Sequence, residues 1–466
     1  MSTAKSSNFG ENELGQPYDA IVIGCGPAGS TVSAVLAGKG RRVLVLEREK
    51  FPRYHIGESL IPYTYFPLER LGLVEKMKAS HFVKKYSVQF VSPDGRASHP
   101  FYFFKHLKHE AANTWQVLRS EFDQMLMDNA REKGAEVMEE VTVRETIEKD
   151  GYVIGVRVVN KAGEKLEFLA PITIDATGRD AFTLSRQGWK VRDPYLNKIA
   201  VWTYYKGAMR DAGYDEGATT VAYVAEKGWF WYIPLAGDVV SVGIVAEKDY
   251  LYNGVRSASL APGTGPQDSG PGTTQPASSP LYRHASGRQN ELAEIFHREV
   301  GNNKWVEQHL AVGQQFGPYR VTGEYSYRSR YCASNGLVLI GDAFAFLDPV
   351  FSSGVFVALC SGERAADAVD QALTDGDYSA ERFTQYGADM CRGIEAMRRL
   401  VYSFYDHAFS FRALINKYPH LAGDVTDCLI GNLFMDFDPL FAAVSEFARV
   451  PPPLSHGLPL AAAASV

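Results

Sequence analysis

Apolar and polar positions follow three regimes along this 466-residue chain. From Tyr18 to Glu47 an unbroken apolar run (AIVI), a glycine turn, a small-residue stretch and a second apolar run (VLVLE) predict a βαβ unit, because a strand covered on both faces loses its polar alternation. The run PITIDATGR at 171–179 has the same buried-strand character. A second regime covers 86–104 and 196–247, where β-branched and aromatic runs (YSVQF, FYFF, IAVWTYYKG, TTVAYVAE, GWFWYIPL, VVSVGIVAE) follow one another at short intervals. It predicts a hairpin turning at Pro93-Asp94-Gly95 and a mostly antiparallel sheet apart from the first. The third regime is helical: 291–311, and a long aromatic-rich stretch over 361–415.

Strand-like runs near 20, 172 and 338 flank the antiparallel segment, so one domain is assembled from distant pieces. The expectation is an α/β chain with a discontinuous Rossmann-like domain over 18–60, 110–195 and 330–375. An antiparallel substrate-side region spans 61–109 and 196–329, and a helical region spans 376–466. Residues 253–288 carry Gly, Pro, Ser and Thr with almost no core formers and read as an exposed, mobile insertion. The first twenty residues, which hold no apolar signal-like core, read as a frayed leader.

Composition narrows the class. At 45% hydrophobic and 22% charged residues the chain is a globular protein, and 48 basic against 54 acidic residues give a net charge of -6, with no general attraction for nucleic acid or acidic membranes. Five scattered cysteines without CxxC or Cys/His spacing read as reduced core residues and offer no metal site. No apolar run is long enough to span a bilayer and no secretory signal is visible, so the expected location is cytoplasmic.

Gly24-Cys25-Gly26-Pro27-Ala28-Gly29 is a GxGxxG turn between strand and helix, where glycine allows the tight turn, close approach of a pyrophosphate and close helix packing. Glu47 closes the second strand 18 positions on, where an acid receives ribose hydroxyls. Gly341-Asp342, directly after the apolar run GLVLI, resembles the GD motif with which flavin-dependent monooxygenases hold the FAD ribityl chain and pyrophosphate. Arg119 and the IDATGR stretch resemble further parts of that aromatic-hydroxylase and glutathione-reductase type of fold. His55 and His407 read as structural histidines, since nothing marks a partner.

Trp229-x-Trp231-x-Ile233-Pro234 resembles the signature of flavin-dependent halogenases, and HIGES, FVKK and GDAFAFLDPVFSSG are similar to the same family. The resemblance implies an FAD enzyme that receives FADH2 from a separate reductase. Oxygen and the reduced flavin then form a C4a-hydroperoxide, which chloride or bromide attacks to give hypohalous acid. In the family the tryptophans shield the flavin from organic substrate, and backbone amides matching Ser353 and Gly354 bind halide. The resemblance assigns Lys84 as the catalytic lysine that handles the electrophilic halogen, with Lys85 turned to the opposite face of an extended segment. Tryptophan halogenases have a glutamate where this chain has Phe351. An electron-rich phenol or pyrrole, free or bound to a carrier protein, is therefore the expected substrate. A flavin monooxygenase or geranylgeranyl-reductase-like enzyme shares the FAD motifs, and a flavin-binding redox sensor is the non-enzymatic alternative.

Overall fold

The structure is a computed structural model that describes residues 18–224, 228–254, 288–323 and 326–461. The first 17 residues of the leader and nearly all of the 253–288 segment lie outside the described residues. The chain forms two compact units: residues 1–82, 103–196 and 325–466 make the first, and 83–102 with 197–324 the second.

The first unit is built on a six-stranded sheet ordered Ala333–Ser334, Leu337–Leu339, Ile172–Asp175, Ala20–Ile23, Val43–Leu46, Glu136–Met138. Every neighbouring pair is parallel except the first. The central strands are buried at every residue, which is why they lack alternation. The helix Pro27–Gly38 is buried without a break from Pro27 to Ala37, so only small side chains suit most of its faces. The 22-residue helix Gly354–Asp375 presses on it so closely that a Cβ on Gly362 would stand 2.8 Å from the Ala28 carbonyl oxygen.

The boundaries differ from those expected. Only 83–102 of the 61–109 segment joins the second unit. Residues 65–79 fold as two short helices whose Leu68, Leu71, Leu73 and Met77 share one core with Val32 and Leu36 of the nucleotide-binding helix. Burial of that leucine face binds the segment to the first unit. The helices after 376, including Thr384–Tyr405, also belong to this unit and form no separate region.

The second unit is a seven-stranded sheet ordered Gln314–Thr322, Lys198–Lys206, Val239–Glu247, Gly228–Leu235, Thr219–Val224, Ser87–Val91, Phe101–Tyr102. Its pairs are antiparallel apart from Thr219–Val224 with Ser87–Val91. The helices Gln289–Val300 and Lys304–Leu310 cover one face, where Val201, Tyr205, Phe230, Tyr232, Val242 and Ile244 meet Ile295, Phe296 and Trp305. Strand geometry sends the intervening residues, Trp202, Trp229, Trp231 and Ile233 among them, to the other face.

Candidate active site

The glycine turn of the first unit is set by steric contacts. Gly24 has φ +97°, and a Cβ there would lie 2.6 Å from the Ala176 carbonyl oxygen; a Cβ on Gly29 would lie 1.9 Å from the Gly24 oxygen. Both glycines are needed for the turn itself. Gly26 differs, since the nearest atom to a Cβ there is an Arg53 guanidinium nitrogen at 3.5 Å, and no side chain caps the helix that starts after it. Space beside a helix N-terminus, with an arginine at its edge, is the cradle a pyrophosphate requires. Glu47 is buried and stands at this turn: its carboxylate accepts from the Cys25 N–H at 2.8 Å and from the Glu49 N–H at 2.9 Å.

The GD turn meets the same helix. Gly341 has φ +57°, a Cβ on it would stand 3.0 Å from Cβ of Ala28, and its N–H donates to Ser361 Oγ at 2.8 Å. Asp342 lies deep in the unit yet stays partly accessible, as a group lining a recess does. Burial pushes its carboxyl up to about 6, with Arg179 and Arg119 pulling the other way. The residues fit FAD: an open glycine cradle, an acid at the second strand end, and the half-buried carboxyl of the GD turn.

Arg119 is buried, but its guanidinium is engaged. It pairs with Asp123 at 2.7 Å and donates to the carbonyls of Ile56 at 2.7 Å and Gly57 at 3.2 Å. Its observed contacts therefore support the 55–57 loop. Arg53, which also pairs with Asp123 at 3.0 Å, is the arginine that reaches the cradle, and sequence reasoning passed over it. Its signal was its place in RYHIGES, a stretch similar to the family. Burial and the charges of Arg119 and Arg53 push the His55 imidazole down to about 3, so it is neutral at working pH and serves as a packed histidine. His407 is exposed.

The loop 348–354 is held from behind. The buried Asp348 accepts from the Val350 N–H at 3.1 Å and from the Tyr405 hydroxyl at 2.8 Å, and its own N–H donates to Ser326 Oγ at 3.1 Å. Ser352 takes the left-handed conformation at φ +58°, after which the long helix begins at Gly354 with Ser353 as an N-cap that makes no side-chain capping bond. A Cβ on Gly354 would meet nothing within 4 Å. Backbone amides at such a start suit a monovalent anion. Phe351 is buried edge-on against Phe404, with ring centroids 5.7 Å apart.

In the second unit, Trp229 and Trp231 lie 6.3 Å apart and Trp231 stands 6.2 Å from Trp202. Trp231 Nε1 donates to Ser241 Oγ at 3.1 Å. Gly243 makes room for these rings, since a Cβ on it would fall about 2.4–2.5 Å from atoms of Trp231 and Trp202. Ile233 is buried on the same side and Pro234 is buried beside it.

The two lysines stand in opposite environments, and it is Lys85, not the expected Lys84, that is enclosed. Lys84 is exposed, whereas Lys85 is 0% exposed, and burial pushes the Lys85 ammonium down to about 7. The two do lie on opposite faces. Lys85 ends the strand Val83–Lys85; in the next strand, Ser87–Val91, it is Ser87, Gln89 and Val91 that are buried, and the apolar Val88 and Phe90, like Tyr86 before them, are only half-buried. Hydrogen bonds make this polar face fit to be buried: Ser87 Oγ donates to Asp215 at 2.8 Å, and Gln89 donates to Asp211 at 2.7 Å and to Thr220 at 2.8 Å.

A dinucleotide cradle joined to a GD turn, with an antiparallel sheet inserted in the chain, defines an FAD-dependent oxidoreductase. A profile of the tryptophan halogenase family matches residues 19–115 and 104–410. The chain belongs to that family of flavin-dependent halogenases. It is 28% identical to the 1H-pyrrole-2-carbonyl-(peptidyl-carrier protein) chlorinase of Pseudomonas fluorescens, over 90% of each chain. It is 34% identical to the corresponding brominase of Pseudoalteromonas luteoviolacea, over 78% of this chain and 79% of that one. Among solved structures it resembles the flavin-dependent brominase Bmp2, with TM-score 0.77, 28% identity and coverage of 92% of this chain and 98% of the other. It also resembles the myxobacterial chondrochloren halogenase CndH, with TM-score 0.71, 27% identity and coverage of 92% and 95%. The protein is accordingly an FAD- and halide-using halogenase. Among the described residues no helix is long and apolar enough to cross a membrane.

Proposed function

We propose that this enzyme halogenates a pyrrole ring delivered as a thioester on a carrier protein, with Lys85 as the catalytic lysine in place of Lys84. The observation that carries the lysine assignment is burial: Lys85 is enclosed with its ammonium near 7, and Lys84 is in water. A lysine in water cannot retain an electrophile away from bulk water. An enclosed one is poised between amine and ammonium, and either donates a hydrogen bond to hypohalous acid or forms a haloamine.

Gly24, Gly26, Ala28, Gly29, Glu47, Gly341 and Asp342 would hold FAD, with Arg53 on the pyrophosphate and Arg119 fixing the adjoining loop. Bound in its reduced form, that cofactor supplies the reaction with oxygen. A separate flavin reductase would provide the reduced flavin. Ser353 and Gly354 would offer backbone N–H groups to chloride or bromide. Trp229, Trp231, Ile233 and Pro234 would form an apolar screen that keeps the organic substrate from the flavin.

The pyrrole reading rests on the two relatives and on Phe351. No carboxylate stands at that loop position, so the ring must be electron-rich by itself, as pyrrole is. The test supplies reduced FAD, oxygen and bromide to the enzyme with pyrrolyl-carrier protein, free pyrrole-2-carboxylate and a set of phenols. Mass spectrometry should show a bromine isotope doublet on the carrier-bound pyrrole. A doublet on the phenols alone would overturn the substrate assignment.

A further inference from the structure

One segment of the second unit, 209–217, touches both the tryptophan strand and the strand that bears Lys85. On the tryptophan side, Tyr232 donates its hydroxyl to the Met209 carbonyl at 2.7 Å. The Arg210 guanidinium donates to the carbonyls of Leu235 at 2.6 Å and Val239 at 2.9 Å, which flank the turn ending that strand. On the lysine side there are three contacts. Asp211 accepts from Gln89, and Asp215 accepts from Ser87 at 2.8 Å and from Tyr102 at 2.7 Å, the residue that Ser87 faces across the ladder. Gly217 is buried against the peptide joining Lys84 to Lys85: a Cβ there would stand 2.0 Å from the Lys84 carbonyl oxygen and 2.8 Å from Val83 Cγ1.

These contacts are chemically specific. Lys85 ends the short strand Val83–Lys85, and Ser87 and Gln89 stand on the next strand, Ser87–Val91, so tethering them anchors the chain two residues beyond Lys85 while Gly217 abuts it just before. Gly217 does not have φ in the left-handed region, and it shows no conformational need for glycine. What requires glycine there is contact distance. The segment also carries its own acids and arginine to the sheet rather than a hydrophobic plug, so it fixes position through directional bonds.

We propose that 209–217 is a bracket that positions Lys85 relative to the tryptophan strand, with Asp215 and Gly217 as positioning residues for halogenation. This rests on the assignment of Lys85 as the catalytic lysine. The bracket touches no halogen. It acts by holding the Lys85 backbone, and a side chain at 217 forces that backbone to move by more than the tolerance of an oriented reaction.

The experiment compares Gly217→Ala, Asp215→Asn, Ser87→Ala and Lys85→Ala with the unaltered enzyme. Two readouts are taken: halogenated product against reduced-FAD oxidation, and the pH midpoint for acetylation of Lys85 by an amine-directed reagent, read by peptide mass spectrometry. In Gly217→Ala, product should fall about a hundredfold, the loss that a displacement of about 1 Å produces, with flavin oxidation unchanged. The Lys85 midpoint should move up from near 7 toward the ordinary lysine range as the side chain loosens into water. Ser87→Ala and Asp215→Asn remove only the tether, so they report even where Gly217→Ala fails to fold, and they should shift the midpoint in the same direction. Unchanged midpoints and product in these two would overturn the bracket while loss of product in Lys85→Ala upholds the lysine. Full halogenation by Lys85→Ala would overturn both.

Discussion

The glycine cradle of the first unit and the lysine strand of the second were both marked by short motifs, yet what decides the residue differs between them. At the cradle the backbone itself dictates the residue: a Cβ on Gly29 would overlap a carbonyl oxygen at 1.9 Å, so spacing and geometry are the same information. At the lysine strand the choice between two adjacent lysines depends on which of them is enclosed, and Lys84 was named from a motif resemblance, which does not record burial. The even-numbered residues Tyr86, Val88 and Phe90 are the apolar ones, and alternation alone would have them buried. The enclosed face is the polar one. Alternation reports the buried face only where burial is paid for by apolar area, and here hydrogen bonds to Asp211 and Asp215 carry it instead.

The widest separation is expected between the two lysines. Lys85→Ala should abolish halogenated product while reduced-FAD oxidation and peroxide release continue, and Lys84→Ala should retain nearly all product, since a solvated lysine contributes little. Halide incorporation, oxygen uptake and peroxide measured on one preparation of each variant check this. Product lost in Lys84→Ala and kept in Lys85→Ala would restore the assignment of Lys84 that the motif resemblance made.

The cradle can be split in the same way. Gly26→Val should leave the fold cooperative and severely weaken FAD binding, because the space beside Gly26 is open except for Arg53. Gly29→Ala should instead cost the fold itself about 3 kcal/mol, the upper range for forcing a methyl into a filled core. Flavin fluorescence titration and thermal melts of the two variants separate ligand contact from turn geometry. Equal melts would show that the turn at Gly29 can relax.

In the nucleotide half the βαβ unit, the glycine turn, the acid and the GD motif carried signals local in sequence, each tied to a steric or electrostatic demand at a fixed spacing, whereas the order of strands drawn from residues 20, 172 and 337 did not. What escaped was held by distant partners. Arg53 reaches the cradle because Asp123, 70 residues on, anchors it, and Arg119 is drawn by the same carboxylate toward the 55–57 loop. The segment 61–82 looked like an approach to the antiparallel sheet, but its leucines are claimed by the nucleotide-binding helix. No pattern within either segment records those partners.

A smaller effect sharpens the contrast between a residue kept for chemistry and one kept for packing. The folded pKa of Lys85, near 7, lies below the ordinary 10.5, so between these values the unfolded chain binds the extra proton and stability rises with pH. Below pH 7 both states are protonated and the full cost of the buried charge is present. Lys85→Met should remove that slope and stabilise the protein at pH 7 by on the order of a few kcal/mol, while yielding no halogenated product. Denaturant melts from pH 6 to 10 test this. A variant less stable than the parent at pH 7 would mean that the lysine contributes bonding that offsets its desolvation.

The smallest effect belongs to the tryptophan strand, where chemistry and packing coincide. Trp231 gives one hydrogen bond, Nε1 to Ser241, and fills the space over Gly243. Trp231→Phe loses that bond and leaves the Ser241 hydroxyl without its donor, in a strand whose neighbours Trp202 and Trp229 remain. The net worth of such a bond is about 1 kcal/mol, and a phenyl ring retains most of the apolar contact. The melt should therefore move only slightly. If the ring is a screen and takes no part in bond making, halogenation should persist at a reduced yield, with a rise in substrate-independent peroxide as water gains access. Complete loss of halogenation with an unchanged melt would give Trp231 a direct role, and would place chemistry on the tryptophan strand as well as on Lys85.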